Sequence, residues 1–371
     1  MLPNSYVIYI SALAGAFFLA VILTYLVRVV AIRWGIFDQP GHRKMHEEPM
    51  PLMGGVAIFI SFNILILGFL AVLAVSNRFG IDWIEENLLL FLGENGLRKL
   101  GGILAGAFLI FLLGIVDDLM SLTPWVKLVG QIAAAGVLVA SGIHLDFFIL
   151  TDHWWLYTPV TIFWVVLMTN SLNFLDNMDG LCGGVSVIAA FSFFLCVSPD
   201  DALVRLLLMV FAGSVGGFLY HNLSPARIFM GDAGSMFNGY FLATIAVMGT
   251  FHIHASETSS PIAAAAPLLA LSVPLFDTFS VIYIRLRNGE SIMMGDKRHF
   301  SHRLVELGMT PRQAVEFIFL VAGAVGLGGA LLPMFDRGGI GAFIILAQTV
   351  GVFLLIVLLM NAGRKPGDKG P

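Results

Sequence analysis

The chain has 371 residues, of which 58% are hydrophobic and only 12% charged, and its mean hydropathy is +0.90. Soluble domains carry about 25% charged residues, so a chain this apolar cannot cover itself with polar surface and belongs in a bilayer. The formal net charge of −4 gives no hint of nucleic-acid binding.

Eleven apolar segments approach spanning length. The first covers 5–30. No basic residue precedes it in Met1–Ser5, and Arg28 and Arg33 follow it, which argues against a cleaved signal peptide and for a permanent span with the N-terminus outside. The second covers 52–75. Residues 76–99 then form the longest outer connection, with Trp83 at an interface and room for a short amphipathic helix. The third, 100–116, carries Gly102 and Gly106 at GxxxG spacing and closes on Asp117-Asp118. The fourth, 126–147, begins with Lys127 and Gln131, and aromatic residues Trp154 and Trp155 precede the fifth, 157–172. That segment runs into Asn170, Asn173, Asp176, Asn177 and Asp179.

The sixth and seventh, 182–198 and 202–220, are joined by Ser198-Pro199-Asp200-Asp201 and could form one re-entrant feature. Gly213 and Gly217 repeat the GxxxG spacing of close helix packing. Cys182 and Cys196 stand about 14 helical residues and roughly 21 Å apart, too far for a disulfide. The eighth segment is 236–252. The ninth, 262–284, contains Pro267 and Pro274, which should kink it and open an apolar groove for a lipid tail. Asp277 lies within it and is expected to pair with Arg285 or Arg287. A basic loop over 285–312 precedes the last two segments, 313–333 and 339–360, and a short tail, 361–371. The pattern predicts one domain over 1–371, an all-α polytopic integral membrane protein with a bundle of about 10–11 transmembrane helices.

With the N-terminus outside, 15 of the 20 Lys and Arg residues fall on the inner side, as positive-inside bias requires. The same topology gathers the unusual polar residues on the inner, cytoplasmic face. A carboxylate inside the membrane costs about 2.5–3.5 kcal/mol and marks a functional candidate. If the fifth helix continues, 170, 173 and 177 share one face, with 176 beside 173. Asp117, Asp118, Asp176, Asp179 and Asp232 together would repel. Two carboxylates 4 Å apart at an effective dielectric of 20 cost about 4 kcal/mol, and a hard cation would relieve that. Mg²⁺ suits the oxygen donors, binding through one or two carboxylates plus substrate phosphates. No zinc spacing, Walker loop or GxGxxG fingerprint is present. His299, His302 and Arg303 offer donors for phosphate or sugar hydroxyls.

These motifs resemble the polyprenyl-phosphate N-acetylhexosamine-1-phosphate transferases, the glycosyltransferase family 4 enzymes that start O-antigen, teichoic acid and peptidoglycan lipid intermediates. The likeness runs in order from Asp38-Gln39-Pro40-Gly41-His42-Arg43-Lys44-Met45-His46 and Pro51-Leu52-Met53-Gly54-Gly55, through Asp117-Asp118, Lys127 and Gln131, to Asn173–Gly180, Phe229-Met230-Gly231-Asp232-Ala233-Gly234-Ser235 and Arg312. It implies transfer of a sugar-1-phosphate, above all N-acetylglucosamine-1-phosphate, from a UDP-sugar to undecaprenyl phosphate with release of UMP. Mg²⁺, or Mn²⁺ in its place, would sit on Asp232 and Asp176. Asp117, with Asp118 beside it, would orient or deprotonate the lipid phosphate, and Asp232 would complete the catalytic set. Phe229 would stack on uracil, Asp179 and Asn173 would lie at the nucleoside, and Lys44 and Lys127 would neutralise phosphate. His299, His302 and Arg303 would contact the sugar phosphate or its N-acetyl group.

Ser301 stands where the family often has His, and Ser121 where the peptidoglycan branch has Lys. Both point away from UDP-MurNAc-pentapeptide and toward UDP-GlcNAc or a relative, so the phospho-MurNAc-pentapeptide transferase is the alternative within the family. Expected partners are the UDP-sugar, the polyprenyl phosphate, membrane lipids and, as an open option, a second copy in a homodimer; nucleic acid is not among them. A cation-coupled secondary transporter is the rival class. It expects polar groups at the bilayer midplane within inverted repeats, whereas here they gather at helix ends and no repeat is visible.

Overall fold

The computed structural model describes residues 5–39, 48–79, 95–145, 153–249, 265–291, 298–332 and 340–362. In chain order these form α1 (Ser5–Trp34), the paired β1 (Phe37–Asp38) and β2 (Met50–Pro51), α2 (Gly54–Phe79), α3 (Gly96–Met120) and α4 (Pro124–Ala140). There follow α5 (Trp154–Leu175), α6 (Leu181–Cys196), α7 (Ala202–Asn222), α8 (Asp232–Gly249), α9 (Ala266–Ala270) and α10 (Ser272–Arg287). The last three are α11 (Phe300–Glu306), α12 (Pro311–Leu331) and α13 (Ile340–Ala362). The protein is an all-α, multi-pass membrane protein. Among the described residues seven helices, α1, α2, α3, α5, α7, α12 and α13, are long and apolar enough to span, and α4 and α6 are shorter apolar helices.

Each of the eleven expected segments contains helix. The ninth is interrupted between its two prolines. It divides at Leu271 into α9 and α10, with Pro267 in the first turn of one and Pro274 in the first turn of the other, where a missing N–H is tolerated. The sixth and seventh are two helices, α6 and α7, packed together and joined through residues 198–201. The fourth ends at Ala140, short of its expected limit, and Gly142 follows at φ +85°. The short helix expected within 76–99 falls largely on 80–94, outside the described residues, as does Trp83.

The core lies in α7 and α8. From Ala233 to Gly249 every residue of α8 is buried, as expected of a helix enclosed by others. α2, α3, α5 and α6 flank it, and α7 also touches it. Phe59 of α2 stacks on Phe111 of α3 with centroids 3.9 Å apart, and Phe211 of α7 stacks on Phe241 of α8 at 4.3 Å. α1 packs along α7. A Cβ on Gly213 or Gly217 would lie 2.3 Å from the carbonyl oxygen of Leu13 or Phe17, so both glycines serve close backbone approach. α1 also exposes Ile10, Phe18 and Ile22, an apolar surface suited to contact with lipid. Cys182 and Cys196 are unlinked, near the two ends of α6. At the start of α12, Thr310 and Gln313 close a reciprocal capping box.

Candidate active site

The helix ends that bear carboxylates meet at one place. α8 begins at Asp232 because Gly231 takes a left-handed φ of +75° and turns the chain into the helix. The first turn of any helix leaves N–H groups unpaired. Here Asp118, from the end of α3, supplies the acceptors. Its Oδ1 accepts the Asp232 N–H at 2.8 Å and its Oδ2 the Ala233 N–H at 3.2 Å. This is an N-cap made across the chain, with a negative charge at the positive end of the helix. A Cβ on residue 231 would lie 2.6 Å from Asp118 Oδ2, so the contact demands glycine there.

Asp117 is buried. Its Oδ1 accepts the Leu122 N–H at 2.6 Å, and its carboxylate pairs with the Lys127 ammonium. Lys127, in the first turn of α4, also donates to Asp232 Oδ2 at 2.8 Å. The remaining Asp232 oxygen accepts from Asn173 Nδ2 at 3.0 Å, and the same amide reaches Ser235 Oγ at 2.9 Å. One ammonium and one amide thus tie the ends of α3, α4, α5 and α8 into a single network. One turn deeper, Gln131 and Asn170 exchange amide hydrogen bonds of 3.3 and 2.7 Å, which fixes α4 against α5.

The fifth helix does not continue through the motif. It stops at Leu175, so Asp176 and Asn177 leave the Asn170–Asn173 face. The Asp176 N–H caps α5 by donating to the Asn173 carbonyl at 3.3 Å, but its carboxyl makes no hydrogen bond or ion pair among the described residues. Burial pushes its carboxyl up to about 8, with further increments from Asp232, Asp118, Asp179 and Asp38. Asn177 instead accepts the Ser301 hydroxyl at 2.6 Å. Asp179 is engaged by its own chain, since its Oδ2 accepts the Ala226 N–H at 3.0 Å. Asn222, which the sequence reading passed over, accepts the Gly180 N–H and donates to the Ile228 carbonyl. A buried amide at the end of an apolar helix was the available signal. Asp179 and Asn222 together hold the turn after Asp176 against the loop that leads to Phe229.

Phe229 sits in an extended stretch bonded to the second motif. Its N–H donates to the Pro51 carbonyl at 2.8 Å, its carbonyl accepts the Gly54 N–H at 2.9 Å, and the Met230 carbonyl accepts the Gly55 N–H at 2.8 Å. His299 lies next to this site, its ring centroid 6.2 Å from that of Phe174 and 6.3 Å from that of His302. Arg303 Nη2 donates to Ser280 Oγ at 2.6 Å. Asp277 is not paired with Arg285 or Arg287. It is fully buried and accepts from His299 and Phe300, because α10 turns it toward α11, while Arg285 bonds the Ser291 carbonyl. Lys44 lies outside the described residues.

The donor set suits a hard cation. Among the described residues no three His, Cys, Asp or Glu side chains form a ready-made metal cage. A Mg²⁺ held by one or two carboxylates and completed by substrate phosphates needs none. The Asp176 side chain, without a partner among the described residues and close enough to Asp232 to feel its charge, has the chemistry such a role requires.

The model for glycosyl transferase family 4 matches residues 100–250, which include Asp117, Lys127, Asp176 and Asp232. A probable undecaprenyl-phosphate N-acetylglucosaminyl 1-phosphate transferase of Bacillus subtilis is 35% identical over 307 residues, covering 81% of this chain and 78% of the relative. A decaprenyl-phosphate N-acetylglucosaminephosphotransferase of Mycolicibacterium smegmatis is 31% identical, covering 93% and 88%. An undecaprenyl-phosphate alpha-N-acetylglucosaminyl 1-phosphate transferase of Yersinia pestis is 28% identical, covering 85% and 82%. With likeness of this extent spanning both the helices and the site they build, the chain belongs to glycosyl transferase family 4, the polyprenyl-phosphate N-acetylhexosamine-1-phosphate transferases.

Proposed function

We propose that this protein transfers N-acetylglucosamine-1-phosphate from UDP-N-acetylglucosamine to a polyprenyl phosphate and releases UMP, at the cytoplasmic face of the plasma membrane with its N-terminus outside. The observation that carries this reading is the network in which Lys127 joins Asp117 to Asp232 beside Asp176, whose carboxyl has no partner among the described residues. It offers fixed positive charge and acid groups for two phosphorylated substrates at one end of a membrane bundle. The relatives' names supply the sugar and the lipid, and the bias of basic residues supports the orientation.

Asp232 with Asp176 would hold Mg²⁺, which when bound neutralises diphosphate charge. Lys127 gathers negative charge as it develops, and Asp117 orients the lipid phosphate or takes its proton. An oxygen of that phosphate forms a bond to the phosphorus bearing the sugar, and the P–O bond to UMP breaks with its electron pair leaving on UMP. Positioning and electrostatics supply most of the rate. Phe229 would stack on the uracil, and the break between α9 and α10 would admit the prenyl tail.

Purified Asp117→Asn and Asp232→Asn proteins are expected to lose at least about 100-fold in UMP release with undecaprenyl phosphate, the usual scale for removing a group that stabilises transition-state charge. Full retention by both variants would remove the catalytic reading of these residues. A donor panel monitored for lipid-linked product then identifies the hexosamine and separates the N-acetylglucosamine reading from the MurNAc-pentapeptide one.

A further inference from the structure

Asp277 is completely buried in α10, 22 residues before His299. Its Oδ2 lies 2.8 Å from His299 Nδ1 and its Oδ1 accepts the Phe300 N–H at 2.5 Å. A carboxylate buried this deeply is costly unless both oxygens are engaged, and here they are. Facing an ionised carboxylate, Nδ1 must carry its hydrogen. Nε2, the other ring nitrogen, makes no hydrogen bond among the described residues. The loop that bears His299 is tied to the candidate site by Ser301, which donates to Asn177, and by the neighbouring ring of Phe174. The Phe300 N–H, at the start of α11, pins the same carboxylate in place, so Asp277 cannot rotate away from the imidazole.

We propose that Asp277 is a positioning residue: it holds His299 in the Nδ1–H tautomer and presents Nε2 as an acceptor to a sugar hydroxyl or acetamido N–H of the donor. This rests on the function proposed above and assigns to the sugar half of that site a support that no motif names.

The test is Asp277→Asn, which preserves shape. The Phe300 N–H still requires an acceptor, so the new side chain will turn its oxygen there and its NH₂ toward His299. Nδ1 must then accept, and the hydrogen moves to Nε2. ¹⁵N spectra of histidine-labelled protein, with the His299 signals assigned by His299→Gln, should show this reversal. The kcat/KM for UDP-N-acetylglucosamine should fall about 10–100-fold, the range seen when a supporting partner of a functional histidine is removed. UMP affinity, which does not involve the sugar, should stay within about 3-fold. In a His299→Ala background the Asp277→Asn change should cost less than about 3-fold, because groups acting as a unit are not additive. Asp277→Glu, which retains the carboxylate, guards against loss of fold and should keep the parental tautomer.

An unchanged tautomer in Asp277→Asn, or an equal loss with and without His299, overturns the proposal. Full activity of His299→Ala would also overturn it. The Asp117 and Asp232 variants then report separately whether the functional reading stands.

Discussion

Replacing Asp118 by Asn separates support from chemistry at the acidic centre. Asp118 gives one oxygen to each of two N–H groups at the head of α8, at 2.8 and 3.2 Å. Asn keeps one acceptor and turns an NH₂ against the other donor. Loss of a side-chain cap costs about 0.5–2 kcal/mol, and loss of the negative charge at the helix N-terminus adds about 0.3–1 kcal/mol. The sum is roughly 1–3 kcal/mol, which in a chain of this length should lower the thermal midpoint in detergent by about 1–4 °C. Asp232 is the first residue of that helix, so its carboxylate shifts relative to Lys127 and Asn173, and UMP release should fall with the midpoint. Thermal unfolding and turnover would be measured on the same preparation. If Asp118→Asn melted at the parental midpoint yet released no UMP, the capping account would be wrong and Asp118 would act on substrate directly.

Gly231→Ala attacks the same contact from the other side. A Cβ would meet Asp118 Oδ2 at 2.6 Å in a backbone at φ +75°, and the conformation alone costs about 1–2 kcal/mol. A lower melting midpoint and reduced turnover are expected together, and parental values in both assays would contradict the geometry. Asp176, pushed up to about 8 chiefly by burial, keeps its proton below that pH. A cation must displace that proton, so the apparent Mg²⁺ affinity should strengthen as pH rises toward about 8 and level off above it. Titrating Mg²⁺ from about pH 6.5 to pH 9 tests the sign, and Asp176→Asn should abolish the slope.

Much of the fold was legible because a bilayer imposes a plain requirement of long apolar runs that satisfy their own backbone. The acidic residues could be placed at one end for the same reason, since each closes or opens a run. Local geometry was not legible. The helix stops at Leu175, and three residues expected on one stripe serve three partners: Asn170 bonds Gln131, Asn173 bonds Asp232, and Asn177 bonds Ser301. Asp117 and Asp118 look equivalent in the sequence, yet one meets an ammonium and the other two backbone amides. Asp277 was expected to find an arginine nearby, whereas a histidine across a loop reaches it. In each case the rotation of one helix about its axis decides the partner, and that rotation is set by neighbours distant in sequence. Lys44 stays an expectation, since it lies outside the described residues.

The backbone bonds between Pro51–Gly55 and Phe229–Met230 make two distant motifs one mechanical piece. The foot of α2 and the threshold of α8 cannot slide independently, so a small change at Leu52 or Met53 should be felt as a displacement of Phe229. Selection on that short proline- and glycine-bearing stretch would then reflect its grip on a neighbour rather than any atom it offers to a ligand. A compound wedged under it could disable the enzyme without touching an aspartate.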